Sequence, residues 1–352
     1  MAPIPQTRPQ PTVDAIYRAY EARAGTEHRP HLGASVIGRE CARALWYAFR
    51  WAVSVRHSGR VLRLFERGQN EEAVFVANLR AAGVEVLDRD SRTGEQFRFS
   101  DVGGHMGGSM DAQALGILEA PKTWHVCEFK THGAKSFATL KANGLAKAKP
   151  EHAAQMQCYM HWSELTRAFY LAVCKDTDEL YSERLRYDTA AATALIERAR
   201  RIIQASEPPA RISERPDWYL CKWCDAYDLC HQGAMPEVSC RTCVHAIPED
   251  THQRKGTGRW SCARFGCDLP VDVQRQGAQC HEHVFIPALV PWLAVDANAD
   301  ENWVEYRTPD GRTVRNGPGG YASRELAAAP GLCGDAITDM IREQFGAEMV
   351  AE

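Results

Sequence analysis

Two hydrophobic periods alternate along the chain, and the places where one gives way to the other mark its elements. After a Pro- and Gln-rich first dozen residues, expected to be disordered, DAIYRAYEARA has helical spacing from about Val13. HLGASVIGRECARALWYAFRW reads as an apolar helix capped by Ser35 and carrying Cys41 and Arg43. LRLFERGQNEEAVFVANLRAAG repeats apolar residues at helical intervals and closes at Gly83. The period then shortens. VEVLD, QFRFSDVGGHMGGSMDAQALGI and TWHVCEFKT read as strands, with turns at Thr93-Gly94 and around Pro121. A lysine-dotted stretch, AKSFATLKANGLAKAKP, leads to a helix over EHAAQMQCYMHWSELT. RAFYLAVCKD and ELYSERLRYD are two more strands, and TAAATALIERARRIIQA is an amphipathic helix ended by Pro208 and Pro209.

This order predicts an α/β fold with a mixed central sheet flanked by helices. It divides the chain into an N-terminal arm (1–30), a core domain (31–235), a cysteine-rich module (236–290) and an extension (291–352). The extension holds a hairpin-like WVEYRTPDGRTVRNG and a helical tail, CGDAITDMIREQF. No internal repeat is visible.

Composition narrows the class without naming a function. With 45% apolar and 25% charged residues the chain is an ordinary globular sequence. No apolar run approaches the roughly 20 residues that span a bilayer, and MAPIPQTRPQPT lacks a signal-peptide core, so a cytoplasmic protein without a membrane partner is expected. The net charge of -3 gives no global argument for a polyanionic partner, but residues 1–60 carry nine Arg against four acids. Solvated surface arginines and a nucleic-acid track explain that excess equally well. Thirteen cysteines without a secretion signal point to metal binding over disulfides. Eight of them crowd between Cys221 and Cys280, while Cys41 stands far upstream.

The chemistry centres on WHVCEFKTH. Glu128 and Lys130, two apart on a strand, leave the same face. Asp111 lies 17 residues before Glu128, where a glycine-rich turn runs into apolar residues. Two carboxylates and an amine so placed suit a divalent metal beside a phosphate. Taken singly, each motif is cheap: Glu128 and Lys130 also read as a solvent-facing ion pair on an edge strand, and Glu71 and Glu72 as an exposed helix face.

Read in order, the chain presents Cys41 with Arg43, Gly68 with Glu72, Asp111, Glu128-Phe-Lys130, Gln155-x3-Tyr159 and Cys221-x2-Cys224-x5-Cys230. Over roughly residues 31–235 this resembles the RecB-like branch of the PD-(D/E)XK nucleases. It is most similar to members with an iron–sulfur cluster: CRISPR-associated exonucleases, the AddB subunit of recombination nucleases, and phage relatives. The resemblance implies a restriction-endonuclease-like core in which Glu72, Asp111 and Glu128 ligate Mg2+ or Mn2+. Glu72 stands where many relatives have histidine, and Glu71 leaves that assignment open by one residue. Lys130 would position or deprotonate the attacking water and neutralise charge on the phosphate. Gln155 and Tyr159, on one helix face, would line the DNA path with Arg43; Gln157 points elsewhere.

The resemblance also implies that Cys41, Cys221, Cys224 and Cys230 hold a 4Fe-4S cluster, closing a long loop. Zinc, with His231 or Cys41 completing the tetrahedron, competes with that reading. In the second group, Cys240, Cys243, Cys262 and Cys280 make the better-spaced zinc site, with Cys267 or His283 able to replace one ligand and Gly256, Gly258 and Gly277 in connecting turns. The expected function is a metal-dependent DNA exonuclease, acting on single strands or duplex ends in recombination, repair or phage DNA metabolism. Its setting would be a bacterial or phage-infected cell, with a recombination or replication protein as partner. Two other classes stay open: a nuclease-fold protein that binds DNA or a partner without cutting, and a redox iron–sulfur protein. GGHMGG is not followed by a helix in the frame a dinucleotide fingerprint needs, which leaves the redox reading without support.

Overall fold

The computed structural model describes residues 10–25, 28–250 and 256–350; the opening residues expected to be disordered lie largely outside them. The chain begins with helix α1 (Pro11–Arg23), a two-residue strand β1 (Leu32–Gly33), and helices α2 (Ala34–Ile37), α3 (Ala42–Phe49) and α4 (Gly59–Ala81). Strands β2 (Glu85–Leu87), β3 (Arg98–Asp101), β4 (Met106–Ser109), β5 (Ala112–Leu115) and β6 (His125–His132) follow. Then come α5 (Ala134–Asn143), α6 (Leu145–Ala148), α7 (Pro150–Ser163), β7 (Arg167–Cys174), β8 (Leu180–Arg186) and α8 (Thr189–Gln204).

The central sheet has the order β2-β5-β6-β7-β8, and only β6 and β7 run parallel. This is the expected mixed sheet between helical layers. On one face Phe75, Val76 and Leu79 of α4 pack against Cys127, Phe129 and Leu171. On the other, Trp46, Met156, Tyr159 and Ile202 of α3, α7 and α8 cover Val126 and Tyr170. The alternation of β6 thus serves two cores. A smaller sheet, β1-β4-β3, brings the glycine-rich segment beside this one.

The single helix expected from Ser35 through Arg43 is in fact two. Ser35 lies inside α2, whose N-cap is Gly33, and Cys41 caps α3, its Sγ accepting the Ala44 N–H at 3.4 Å. A close packing contact lies at the break. A Cβ on Gly38 would meet Glu151 Cα at 2.7 Å and Ala154 Cβ at 2.8 Å, so α2 lies against the α7 backbone only because residue 38 is glycine. We expect Gly38→Ala to destabilise the protein by about 1–3 kcal/mol, the usual cost of overpacking; an unchanged urea midpoint would refute this contact. The lysine-dotted stretch, given no element from its pattern, forms α5 and α6.

Beyond α8 come α9 (Tyr227–His231), a small sheet of β9 (Ala246–Pro248), β10 (Trp260–Cys262) and β11 (Cys267–Asp268), and α10 (Val271–Arg275). The cysteine-rich segment does not stand apart: Ala246, Trp260, Leu269 and Ile286 join the larger core cluster of the α/β body. The extension adds β12 (Leu293–Asn298), the expected hairpin of β13 (Trp303–Arg307) and β14 (Thr313–Asn316), α11 (Ser323–Ala328) and α12 (Ala336–Phe345) around its own core. Among the described residues no helix is long and apolar enough to cross a membrane.

Candidate active site and cysteine recesses

β6 is the middle strand of five, so Glu128 and Lys130 do not form an ion pair on an edge. Glu128 is fully buried and Lys130 keeps partial exposure. On its β7 side β6 stays paired through His132, but on its β5 side the ladder ends at Cys127. The Asp111 side chain takes over where β5 has turned away: Phe129 N–H donates to Asp111 Oδ2 at 2.7 Å. A backbone donor freed by the end of one strand therefore fixes a carboxylate beside Glu128.

Lys130 Nζ donates to Glu128 Oε1, while Glu128 Oε2 is buried without a partner. Glu72 reaches the same place from α4, and Gly68, one turn earlier, lies over Thr131 of β6. Burial, then the charge of Asp111, push the Glu72 carboxyl up to about 7 against the pull of Lys130. Burial is also the main cause of the raised pKa values of Asp111 and Glu128, with Lys130 opposing it at both. At Lys130 burial favours the neutral amine, but Glu128, Asp111 and Glu72 together keep it firmly protonated. Glu72 is among the charges acting on Glu128 and Lys130. Burial and crowding thus disfavour ionising all three carboxyls around one ammonium, and a divalent cation would favour their ionised forms.

The donor set therefore fits Mg2+ or Mn2+: hard oxygens, one of them buried and unpartnered. It is not drawn together. Among the described residues no three His, Cys, Asp or Glu side chains are grouped closely enough to hold a metal ion as they stand.

Gln155 and Tyr159 share a face of α7 as expected, and both are buried. Gln155 Nε2 donates to Tyr159 OH at 3.1 Å, and Tyr159 OH donates to Ser109 O at 2.6 Å. The pair thus supports the chain just before Asp111 from beneath. Gly108 makes room for it, since a Cβ there would lie 2.8 Å from Tyr159 OH. The Gly-Gly of MGGS, read only as a turn, was the available signal for this close approach. Gln157 is on another face, donating to Arg186 O and accepting from Asp188 N–H at the start of α8. Arg43 is not at the carboxylate site either. It donates to Tyr47 OH and Pro209 O, tying α3 to the segment after α8.

A buried network that the motifs did not indicate adjoins Lys130. Tyr170 OH shares hydrogen bonds with His132 Nε2 at 2.7 Å and His152 Nδ1 at 3.1 Å. Burial first, then nearby lysines, lower the His132 pKa to about 4 and that of His152 to about 3. Both imidazoles are neutral when folded, whereas an unfolded histidine takes up a proton near pH 6.5. The unfolded state thus binds more protons below that point, and stability should fall as pH drops from about 6.5 toward 4. A pH series of unfolding midpoints on His152→Gln, flattened relative to wild type over this window, is the expected result; identical slopes would reject it.

Cys41, Cys221, Cys224 and Cys230 line a single recess together with Arg43 and His231. Cys41, far away in sequence, therefore lies with the later three, and His231 Nε2 is buried there without a partner. Cys240, Cys243, Cys262, Cys267 and Cys280 line a second recess.

No protein-family model and no curated protein sequence matches the chain. Among solved structures it is similar to SSO0001, at 14% identity and a TM-score of 0.38 over 62% of this chain and 96% of that one. It is also similar to an alkaline exonuclease (LHK-Exo) from Laribacter hongkongensis, at 16% identity and a TM-score of 0.33 over 53% of this chain and 90% of that one. LHK-Exo in complex with dAMP gives 15% identity and a TM-score of 0.31 over 53% and 89%.

Proposed function

We propose that this protein is a metal-dependent deoxyribonuclease of the RecB-like PD-(D/E)XK type, an exonuclease on single-stranded DNA or duplex ends. The observation that carries the reading is Asp111, fixed by Phe129 N–H, beside the Glu128–Lys130 pair on the middle strand of a mixed sheet, with Glu128 Oε2 buried and unpartnered and Glu72 close enough on α4 to act on their charges. Solvated bystanders would not be arranged so.

Bound by these carboxylates, Mg2+ or Mn2+ would lower the pKa of a water and screen the scissile phosphate. Asp111 is held in place through Phe129 N–H and has a second oxygen to offer. Glu128 offers its free Oε2. Lys130, protonated and only partly exposed, would orient the water and offset charge growing on the phosphate. Cys41, Cys221, Cys224 and Cys230 would hold a 4Fe-4S cluster that joins the start of the core to its end, in a structural role. The unpartnered His231 Nε2 keeps zinc as the competing occupant. An anaerobically purified sample that is colourless, with stoichiometric zinc and no iron, would remove the cluster.

End-labelled single-stranded and duplex DNA, incubated with Mg2+ or Mn2+ and resolved by product length, tests the activity. Mononucleotides released from ends, and lost with chelator, are expected; long internal fragments would make it an endonuclease. A second reading, DNA binding without cutting, is favoured by the carboxylates not being drawn into a ligand group. A gel shift without degradation under either metal would establish it.

A further inference from the structure

The second cysteine recess is built by three short turns braced against one another. Cys240 and Cys243 flank a single 3-10 turn, Cys240–Thr242, whose start is closed by Ser239 N–H donating to Thr242 Oγ1 at 3.1 Å. Cys262 and Cys267 face each other in the register of β10 and β11, around a turn in which Gly266 takes φ +60°. Gly277 brings the third turn in: a Cβ there would lie 2.3 Å from Cys240 N, so glycine lets the approach to Cys280 press on the Cys240 backbone. Thiols brought to one recess in this way, two of them at Cys-x2-Cys spacing, are the ligand type and pattern that zinc takes; among the described residues no three are grouped closely enough as they stand, so the ion would draw them in.

The five thiols are not equivalent. Cys267 is exposed, whereas Cys240, Cys243, Cys262 and Cys280 are partly or fully buried. His283 cannot complete the set as it stands, because Nδ1 is bonded to Ser323 Oγ at 2.7 Å and Nε2 to Ser239 O at 2.9 Å.

Between Cys240 and Cys243 the turn projects Arg241 out of the module and into the α/β body. Its side chain is fully buried. Nε donates to Gln274 Oε1 at 2.6 Å, and Nη1 and Nη2 donate to Phe49 O and Pro30 O, both at 2.9 Å. The guanidinium lies 3.9 Å over the Trp51 ring and 4.6 Å from that of Trp260. Among the described residues it has no ion pair, so the Gln274 amide oxygen, two backbone carbonyls and aromatic faces offset its burial. Such a seat is sensitive to position. A few tenths of an ångström lost at the Cys240–Cys243 turn would leave a cation buried with weakened partners.

We propose that Cys240, Cys243, Cys262 and Cys280 bind one Zn2+, and that the ion holds the turn that seats Arg241, so zinc stabilises the α/β body as well as the module. Cys267 is not a ligand. Peptide-resolved alkylation of the folded full-length protein tests the site without any variant. Cys240, Cys243, Cys262 and Cys280 should be protected until a chelator is added, and Cys267 should react in both states. Equal labelling of the four with and without chelator would overturn the site. Elemental analysis should show about one zinc equivalent lost in Cys280→Ser and none in Cys267→Ser. The reverse pattern would overturn the ligand set. Arg241→Met should retain zinc yet melt roughly 5–10 °C lower than wild type. Melting at the wild-type temperature would overturn the clamp.

Discussion

Asp111→Ala and Lys130→Ala should each reduce metal-dependent DNA degradation by at least about 100-fold, the usual scale for removing one group that stabilises developing charge. The two losses have different origins, and conservative variants separate them. Asp111→Asn keeps an oxygen for the Phe129 N–H, so it should fold as wild type while losing activity with the charge. Asp111→Ala also orphans that N–H and should be less stable by about 1–3 kcal/mol. Lys130→Ala leaves Glu128 buried without its ammonium, and the carboxyl is then expected to fold protonated. Degradation at the wild-type rate by both alanine variants would mean a contaminating nuclease and sink the catalytic assignment.

Tyr159→Ala should be the most destabilising single change near the site, at about 3–5 kcal/mol for truncating a buried aromatic. The ring packs against Phe99 and Trp162, and its hydroxyl is the donor to Ser109 O, two residues before Asp111. Tyr159→Phe keeps the ring and forfeits only the hydrogen bonds, for about 1–3 kcal/mol. This pair of variants distinguishes support from contact. If Tyr159 acts by holding the Ser109–Asp111 segment, Phe should lower stability and leave DNA affinity nearly unchanged. A Phe variant of wild-type stability with weakened DNA binding would return Tyr159 to the DNA path.

Much of the α/β body was legible because its signals are local. The strands around Glu128 and Lys130 alternate cleanly, and α7 and α8 carry helical periodicity end to end. The single helix expected from Ser35 to Arg43 is two, and at the break Gly38 lies against the α7 backbone, a contact 113 residues away in sequence that no local pattern records. The burial of Gln155 and Tyr159 has a similar origin. Their spacing sets a common helix face, but exposure depends on what packs over that face, here Gly108 and Ser109.

By itself the sequence determined most of the elements, the α/β class and the residue types able to hold metal, because periodicity and spacing depend on near neighbours along the chain. Only the tertiary structure decided that β5 turns away and lets Asp111 replace it beside Phe129, that Cys41 lies with Cys221, Cys224 and Cys230, and that Arg241 is buried in the α/β body. Each joins groups distant in the chain, and their proximity is set by packing, which no local pattern encodes.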